Sequence, residues 1–174
     1  TQAGDPARFG ELIEALAGAG DTDAVLAGFA CAPEGQPSLA AAQGAISTLF
    51  AGDDVAEIAR RVAQAGADDW QGAAAAAKAI AGASPTSLAI ALRQMRFGAG
   101  RNFAECMATE YRIVNRILDG HDFYEGVRAQ IIDKDRRPAW RPAGLGDVEE
   151  ADIDSYFAPL DEGAELVTIG GRES

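Results

Sequence analysis

Helix-start signals recur along the whole chain and strand signals are nearly absent, which confines the fold to an array of short helices. Asp5-Pro6 sets an acceptor side chain before a proline suited to the first helical position, ahead of an apolar face of Phe9, Leu12, Ile13 and Leu16. A second short helix is expected over residues 22–30, and Pro33, Gly35 and Pro37 mark a loop after it. Ser38 is placed to cap an Ala-rich run through Ile46 and Phe50. The pairs Asp54/Glu57, Asp68/Gln71, Asn102/Glu105, Asp122/Glu125 and Asp147/Glu150 have capping-box spacing, in which each side chain can satisfy the other residue's free amide. Ser84-Pro85 is the cleanest boundary of all, a hydroxyl cap followed at once by proline. Gly18, Gly52, Gly98, Gly100 and Gly120 end helices, and Pro138, Pro142 and Pro159 forbid their continuation. The expectation is an all-α fold of eight or nine short helices.

Charge is distributed unevenly over this framework. Across 174 residues the net charge is −12, which argues against a nucleic-acid partner. Yet residues 84–145 hold 10 of the 15 Lys and Arg against 7 acids, while residues 1–83 hold 11 acids and 4 bases and residues 146–174 hold 9 and 1. The middle stretch is therefore the place for a contact with a small phosphate or carboxylate; the plainer reading pairs its arginines with neighbouring Glu and Asp. Three segments follow: a variable Ala-rich helical part over 1–83, a second helical part over 84–160, and an acidic tail over 161–174. The apolar run over 73–77 is bounded by Gln71 and Lys78, so no membrane span is expected, and the N-terminal residues carry no signal-peptide pattern. Cys31 and Cys106 are too few for a metal set and read as free thiols, which fits a cytoplasmic location.

Few residues point to chemistry. His121 is the one histidine, and no Ser or Cys stands in a nucleophile elbow, so a Ser-His-Asp or Cys-His machine is not expected and His121 reads as a structural hydrogen-bonding group between helices. Gly98-Ala99-Gly100 follows a helix, the wrong context for a dinucleotide fingerprint. The acidic cluster over 147–154 suits a helix first turn, and Trp70 and Trp140 read as packing anchors. Phe103, Met107, Tyr111, Val114 and Leu118 form a stripe at helical spacing and read as core. Residues 128–141 stand out, because cations crowd around Asp133 and Asp135 beside a helix-stopping proline. Cations at a helix C-terminus suit its dipole; alternatively Lys134, Arg136 or Arg137 contacts a phosphate, with Trp140 packed nearby.

An ordered series of motifs then carries a resemblance. Ser84-Pro85-Thr86-Ser87-Leu88, Leu92-Arg93-Gln94, Glu110-Tyr111-Arg112, Gly120-His121-Asp122-Phe123, Glu125-Gly126-Val127-Arg128-Ala129, Ile132-Asp133-Lys134-Asp135, Pro138, Trp140 and Tyr156-Phe157 resemble the C-terminal part of 3-hydroxyisobutyryl-CoA hydrolases, a branch of the crotonase (enoyl-CoA hydratase/isomerase) superfamily. Residues 1–83 are similar only in helical pattern. The resemblance implies hydrolysis of a CoA thioester in valine breakdown. It implies no metal and no separate cofactor, since the CoA moiety is part of the substrate. It also implies an oxyanion hole and catalytic carboxylates in an N-terminal ββα core that these residues do not supply. A fragment inactive alone is therefore expected, whose partners are that core, the CoA thioester and further copies of itself. The candidate contacts implied are Phe123 for the acyl or pantetheine wall and Lys134, Arg136 and Arg137 for the CoA phosphates. An enoyl-CoA hydratase or isomerase, and a non-catalytic helical interaction module, are the alternatives.

Overall fold

The caps decide where most helices start. The computed structural model describes residues 3–18, 20–32, 39–161 and 163–166. Within the first of its two units, residues 1–44, Asp5 accepts from the Ala7 amide at 2.9 Å and opens a 3₁₀ turn, Pro6–Arg8, that runs into α1, Phe9–Gly18. Asp21 caps α2, Thr22–Phe29, by accepting from Ala24 N at 3.0 Å. Two two-residue strands, β1 (Ala3–Gly4) and β2 (Ala30–Cys31), pair antiparallel, and they are the one departure from an all-helical chain among the described residues. Arg8 lies over the Phe29 ring at 4.3 Å from its centroid. Phe9 and Ile13 stay exposed, while Leu12 and Leu16 are half-buried. Ser38 lies outside the described residues; α3 covers Gln43–Leu49.

The second unit, residues 45–174, carries the larger core. Asp54 caps α4, Val55–Gln64, by accepting from Ala56 N and Glu57 N at 2.8 and 3.1 Å. Its Ile58 and Val62 are buried, as is Ala73 at the start of α5, Ala73–Gly82. Ser84 caps α6, Pro85–Gly98, and both halves of the Asn102/Glu105 capping box close at 2.9 Å ahead of α7, Phe103–Asp119. Then come α8, His121–Val127, a five-residue π turn over Arg128–Ile132, a loop, a 3₁₀ turn at Leu145–Asp147, and α9, Glu150–Phe157. Ile90 of α6, Ile113 of α7 and Ile153 of α9 meet in the centre, with Ile117, Val148, Tyr156 and Phe157 packed around them. Burial of each such side chain is worth about 1.5–3 kcal/mol. No single described helix is long and apolar enough to cross a membrane; α5 and α6 approach that composition only as a pair bent by 118°.

Four sequence expectations are corrected here. The Asp147/Glu150 box does not form: Asp147 ends the Leu145–Asp147 3₁₀ turn, and α9 starts at Glu150 after Glu149 without a side-chain cap. The Asp68/Gln71 box does not form: Asp69 takes the Gly66 amide at 2.9 Å, the Trp70 indole folds over Gly72 where a Cβ would collide with it, and α5 starts at Ala73 without a side-chain cap. The Asp122/Glu125 box is also absent, because both carboxylates have tertiary partners and α8 begins at His121. The α7 stripe read as core is exposed instead, with Phe103 at 81% and Val114 at 49%, while the opposite face buries Thr109 and Ile113.

Candidate functional site

The cation-rich stretch folds into a clamped loop, and Arg128 is its centre. Arg128 Nε and Nη2 donate to the two oxygens of Glu125 at 2.9 and 2.8 Å, a bidentate pair of the strong, charge-assisted kind. Its Nη1 donates to Asp133 Oδ2 at 2.6 Å and to Asp135 Oδ2 at 2.7 Å. Nη2 also reaches the Arg137 carbonyl at 3.2 Å. The π turn makes this possible: it closes with Asp133 N donating to Arg128 O at 2.8 Å, which brings the two acids back beneath the guanidinium. Glu125 Oε1 also accepts from Ala139 N at 2.7 Å, and Asp135 Oδ1 from Arg137 N at 2.8 Å. Arg128 and the Ala139 amide hold the Glu125 carboxyl down at about 2, and the same guanidinium holds Asp135 below its ordinary value.

A second anchor lies at Asp122. Its Oδ2 accepts from Ser84 Oγ at 2.6 Å, while its Oδ1 accepts from Arg141 N at 2.9 Å and lies 3.0 Å from His121 Nδ1. Trp140 donates its indole N–H to Gly82 O at 3.1 Å and lays its ring against Gly126. Among the described residues His121 hydrogen-bonds only its neighbour within α8, so the tie between elements expected of it is made instead by Asp122. Beside these anchors opens a cavity of about 350 Å³ whose apolar floor includes Ile90 and Ile117 and whose rim includes Phe123, Trp140, Arg141 and Tyr156. Burial first, then the charges of Asp122 and Asp152, push the Tyr156 phenol upward.

The four candidate residues fall in two places. Phe123 sits on α8 at the cavity, with its ring edge-on to Tyr124 at 5.3 Å. Lys134, Arg136 and Arg137 sit on the loop, all exposed, and their side chains make no hydrogen bond or ion pair among the described residues. Lys134 and Arg136 hold left-handed backbone conformations, φ 56° and 54°. Elsewhere in the middle stretch the plainer reading holds: Arg93 pairs with Glu150 and Asp154, Arg96 with Asp53, Arg101 with Glu105, and Arg112 with Glu165. Arg116 is spent on carbonyls, among them Pro159 O at 2.9 Å. Within residues 84–145, the cations whose side chains have no partner among the described residues are Lys134, Arg136, Arg137 and, lining the cavity, Arg141. Sequence reasoning missed the roles of Arg128, Glu125, Asp122 and Arg141; the nearest signal was the crowding of opposite charges over residues 128–141.

Comparison with known proteins now places the chain. A family profile described as enoyl-CoA hydratase/isomerase matches residues 1–157, so the chain belongs to that family, and the match takes in the N-terminal residues that carried no motif. Within it the chain is related to 3-hydroxyisobutyryl-CoA hydrolase. The mouse mitochondrial enzyme of that name is 43% identical over 115 residues, 66% of this chain and 29% of the mouse protein; the human one is 41% identical over the same length. Among solved structures, a carnitinyl-CoA dehydratase from Mycobacterium thermoresistibile matches with a TM-score of 0.78 at 35% identity, over 97% of this chain and 47% of that one. An enoyl-CoA hydratase from Rhodobacter sphaeroides matches with a TM-score of 0.73 at 34% identity, over 93% and 45%. The chain thus spans less than half the length of these relatives. Because the mouse and human relatives are mitochondrial, the cytoplasmic expectation is overturned. Cys31 and Cys106 are indeed free, but unpaired thiols do not say which compartment holds the protein.

Proposed function

We propose that this chain provides the CoA-phosphate contacts of a CoA-thioester hydrolase acting on 3-hydroxyisobutyryl-CoA, with the loop around Lys134, Arg136 and Arg137 as its anion-binding element. The observation that carries this reading is that these three cations stand on a clamped loop without a protein counter-ion among the described residues, in a chain of net charge −12. Evenly scattered surface charge would be paired or screened; cations left free side by side suit the diphosphate and 3′-phosphate of CoA. The names of the mouse and human relatives support the acyl group. Phe123, at the rim of the cavity, is the wall for the acyl or pantetheine part. The CoA moiety belongs to the substrate, so neither a metal nor a separate cofactor enters.

Hydrolysis of a thioester also needs an oxyanion hole and an acid, base or nucleophile. In this reading those come from a crotonase core that docks on the chain, and the chain alone is inactive. The exposed apolar face of α7 is the surface through which the chain associates with that core or, without it, with further copies of itself. Hydratase or isomerase chemistry is the second reading, favoured by the names of the two structural relatives, and it would use the same phosphate contacts.

Calorimetric titration of CoA into the purified chain tests the proposal. Binding with a Kd below about 1 mM that weakens as salt rises is expected, and K134E/R136E/R137E should remove it. Binding unaffected by the triple reversal would refute the phosphate assignment. Release of free thiol from 3-hydroxyisobutyryl-CoA by the chain alone would refute the assignment of catalysis to a docked core.

A further inference from the structure

Resting on the phosphate reading above, we propose that Arg128 and Glu125 are the positioning residues of the anion site: they touch no ligand, yet they hold the loop so that Lys134, Arg136 and Arg137 stay free to bind one. The segment from Asp133 to Arg137 mixes two acids with three cations over five residues. Aspartates free to approach those cations would compete with an incoming anion for them. In the structure both aspartates instead accept from Arg128, at 2.6 and 2.7 Å, and among the described residues neither forms an ion pair with the side chain of Lys134, Arg136 or Arg137; Asp135 takes only the Arg137 backbone amide. One guanidinium thus removes both local competitors for the three cations.

Glu125 orients that guanidinium. Its side chain is only 12% exposed and engages Nε and Nη2 in a fork that leaves Nη1 for the two aspartates. The same carboxylate takes the Ala139 amide, so Arg128 and the far end of the loop are fixed by one group. Backbone bonds complete the frame, with Arg136 N on Ala129 O at 3.0 Å and Arg137 O on Arg128 Nη2. The left-handed Lys134 and Arg136 are held by this frame, since isolated non-glycine residues avoid that conformation. A lysine at position 128 would keep the charge and lose the fork, because an ammonium group has three donors and no planar edge to set two of them against one carboxylate while a third group serves both aspartates.

The test compares wild type with Arg128→Lys and Glu125→Gln by CoA titration at several salt concentrations, with amide hydrogen exchange alongside. R128K leaves net charge unchanged, so a loss of affinity cannot come from bulk electrostatics. At least a tenfold loss is expected, with a flatter dependence on salt, faster exchange at Arg136 and Arg137, and unchanged protection at Ile113. Should R128K fail to fold, E125Q carries the test, since it keeps an oxygen for the Ala139 amide and weakens only the fork. Wild-type affinity in the folded variants would overturn the inference alone. No CoA binding by the wild-type chain would overturn the phosphate reading and this inference with it.

Discussion

Ser84 Oγ donates a 2.6 Å hydrogen bond to Asp122 Oδ2 across 38 residues of chain, while the same hydroxyl accepts from Ser87 N at 3.2 Å as the cap of α6. One buried hydroxyl therefore joins the start of α6 to the start of α8, and the other oxygen of Asp122 extends the joint to the Arg141 amide. Removing an acceptor from a buried donor costs about 1–3 kcal/mol. Asp122→Ala should lower the unfolding free energy by about that amount in urea titration at pH 7, and Asp122→Asn by less, since its amide oxygen can still serve one of the two donors. A cost within about 0.5 kcal/mol for D122A would show that the joint does not support the fold.

Acid should loosen the loop clamp before it loosens the core. Glu125 has its carboxyl held down at about 2 from an ordinary 4.5, by Arg128 first and the Ala139 amide second. A carboxylate with a depressed folded pKa contributes stability that is fully present above its unfolded value and is lost as pH falls through the folded one. The window is therefore between about 4.5 and about 2. Thermal melts across it should show wild type losing Tm more steeply than Glu125→Gln, which starts lower at pH 7. Parallel curves for the two proteins would contradict the clamp.

The two faces of α7 make opposite predictions. By spacing alone, Phe103, Met107, Tyr111, Val114 and Leu118 form the better apolar stripe, yet it is Ile113, at 3% exposure, that packs against Ile90 and Ile153. Ile113→Ala should cost about 2–5 kcal/mol. Phe103→Ser and Leu118→Ser should each stay within about 0.5 kcal/mol while reducing self-association in sedimentation. A large loss of stability from F103S would mean that α7 is covered within the folded chain.

What the sequence made legible was local. The caps at Asp5, Ser84 and Asn102 form as read because donor and acceptor lie within three residues, and Asp54 caps α4 likewise, although Glu57 pairs with Arg61 and leaves that box half closed. Asp122 and Glu125 have the same spacing, but Ser84, Arg141, Arg128 and Ala139 offer them better partners once the chain is folded. The helical class followed from punctuation. Which face of α7 finds a neighbour depends on where α6 and α9 pack, and periodicity carries no record of that. The cationic stretch was visible as composition, and its sorting into one clamping arginine and, on the loop it clamps, the free cations Lys134, Arg136 and Arg137 depended on a π turn that no residue pattern announces.

The left-handed residues of the loop separate folding from binding. Lys134 at φ 56° adopts a conformation that costs a non-glycine residue roughly 1–2 kcal/mol, and Arg136 at 54° does the same. Lys134→Gly and Lys134→Ala both delete the ammonium group, so both should weaken CoA binding to a similar degree. They differ in backbone: glycine relieves the left-handed cost and alanine keeps it, less the roughly 0.5–1 kcal/mol by which glycine's freer unfolded chain offsets the gain. K134G should therefore be more stable than K134A by up to about 1.5 kcal/mol, read by urea titration, despite equal loss of ligand. A more stable K134A would mean that position 134 does not hold a left-handed conformation in solution, and the geometry assigned to the anion site would fall with it.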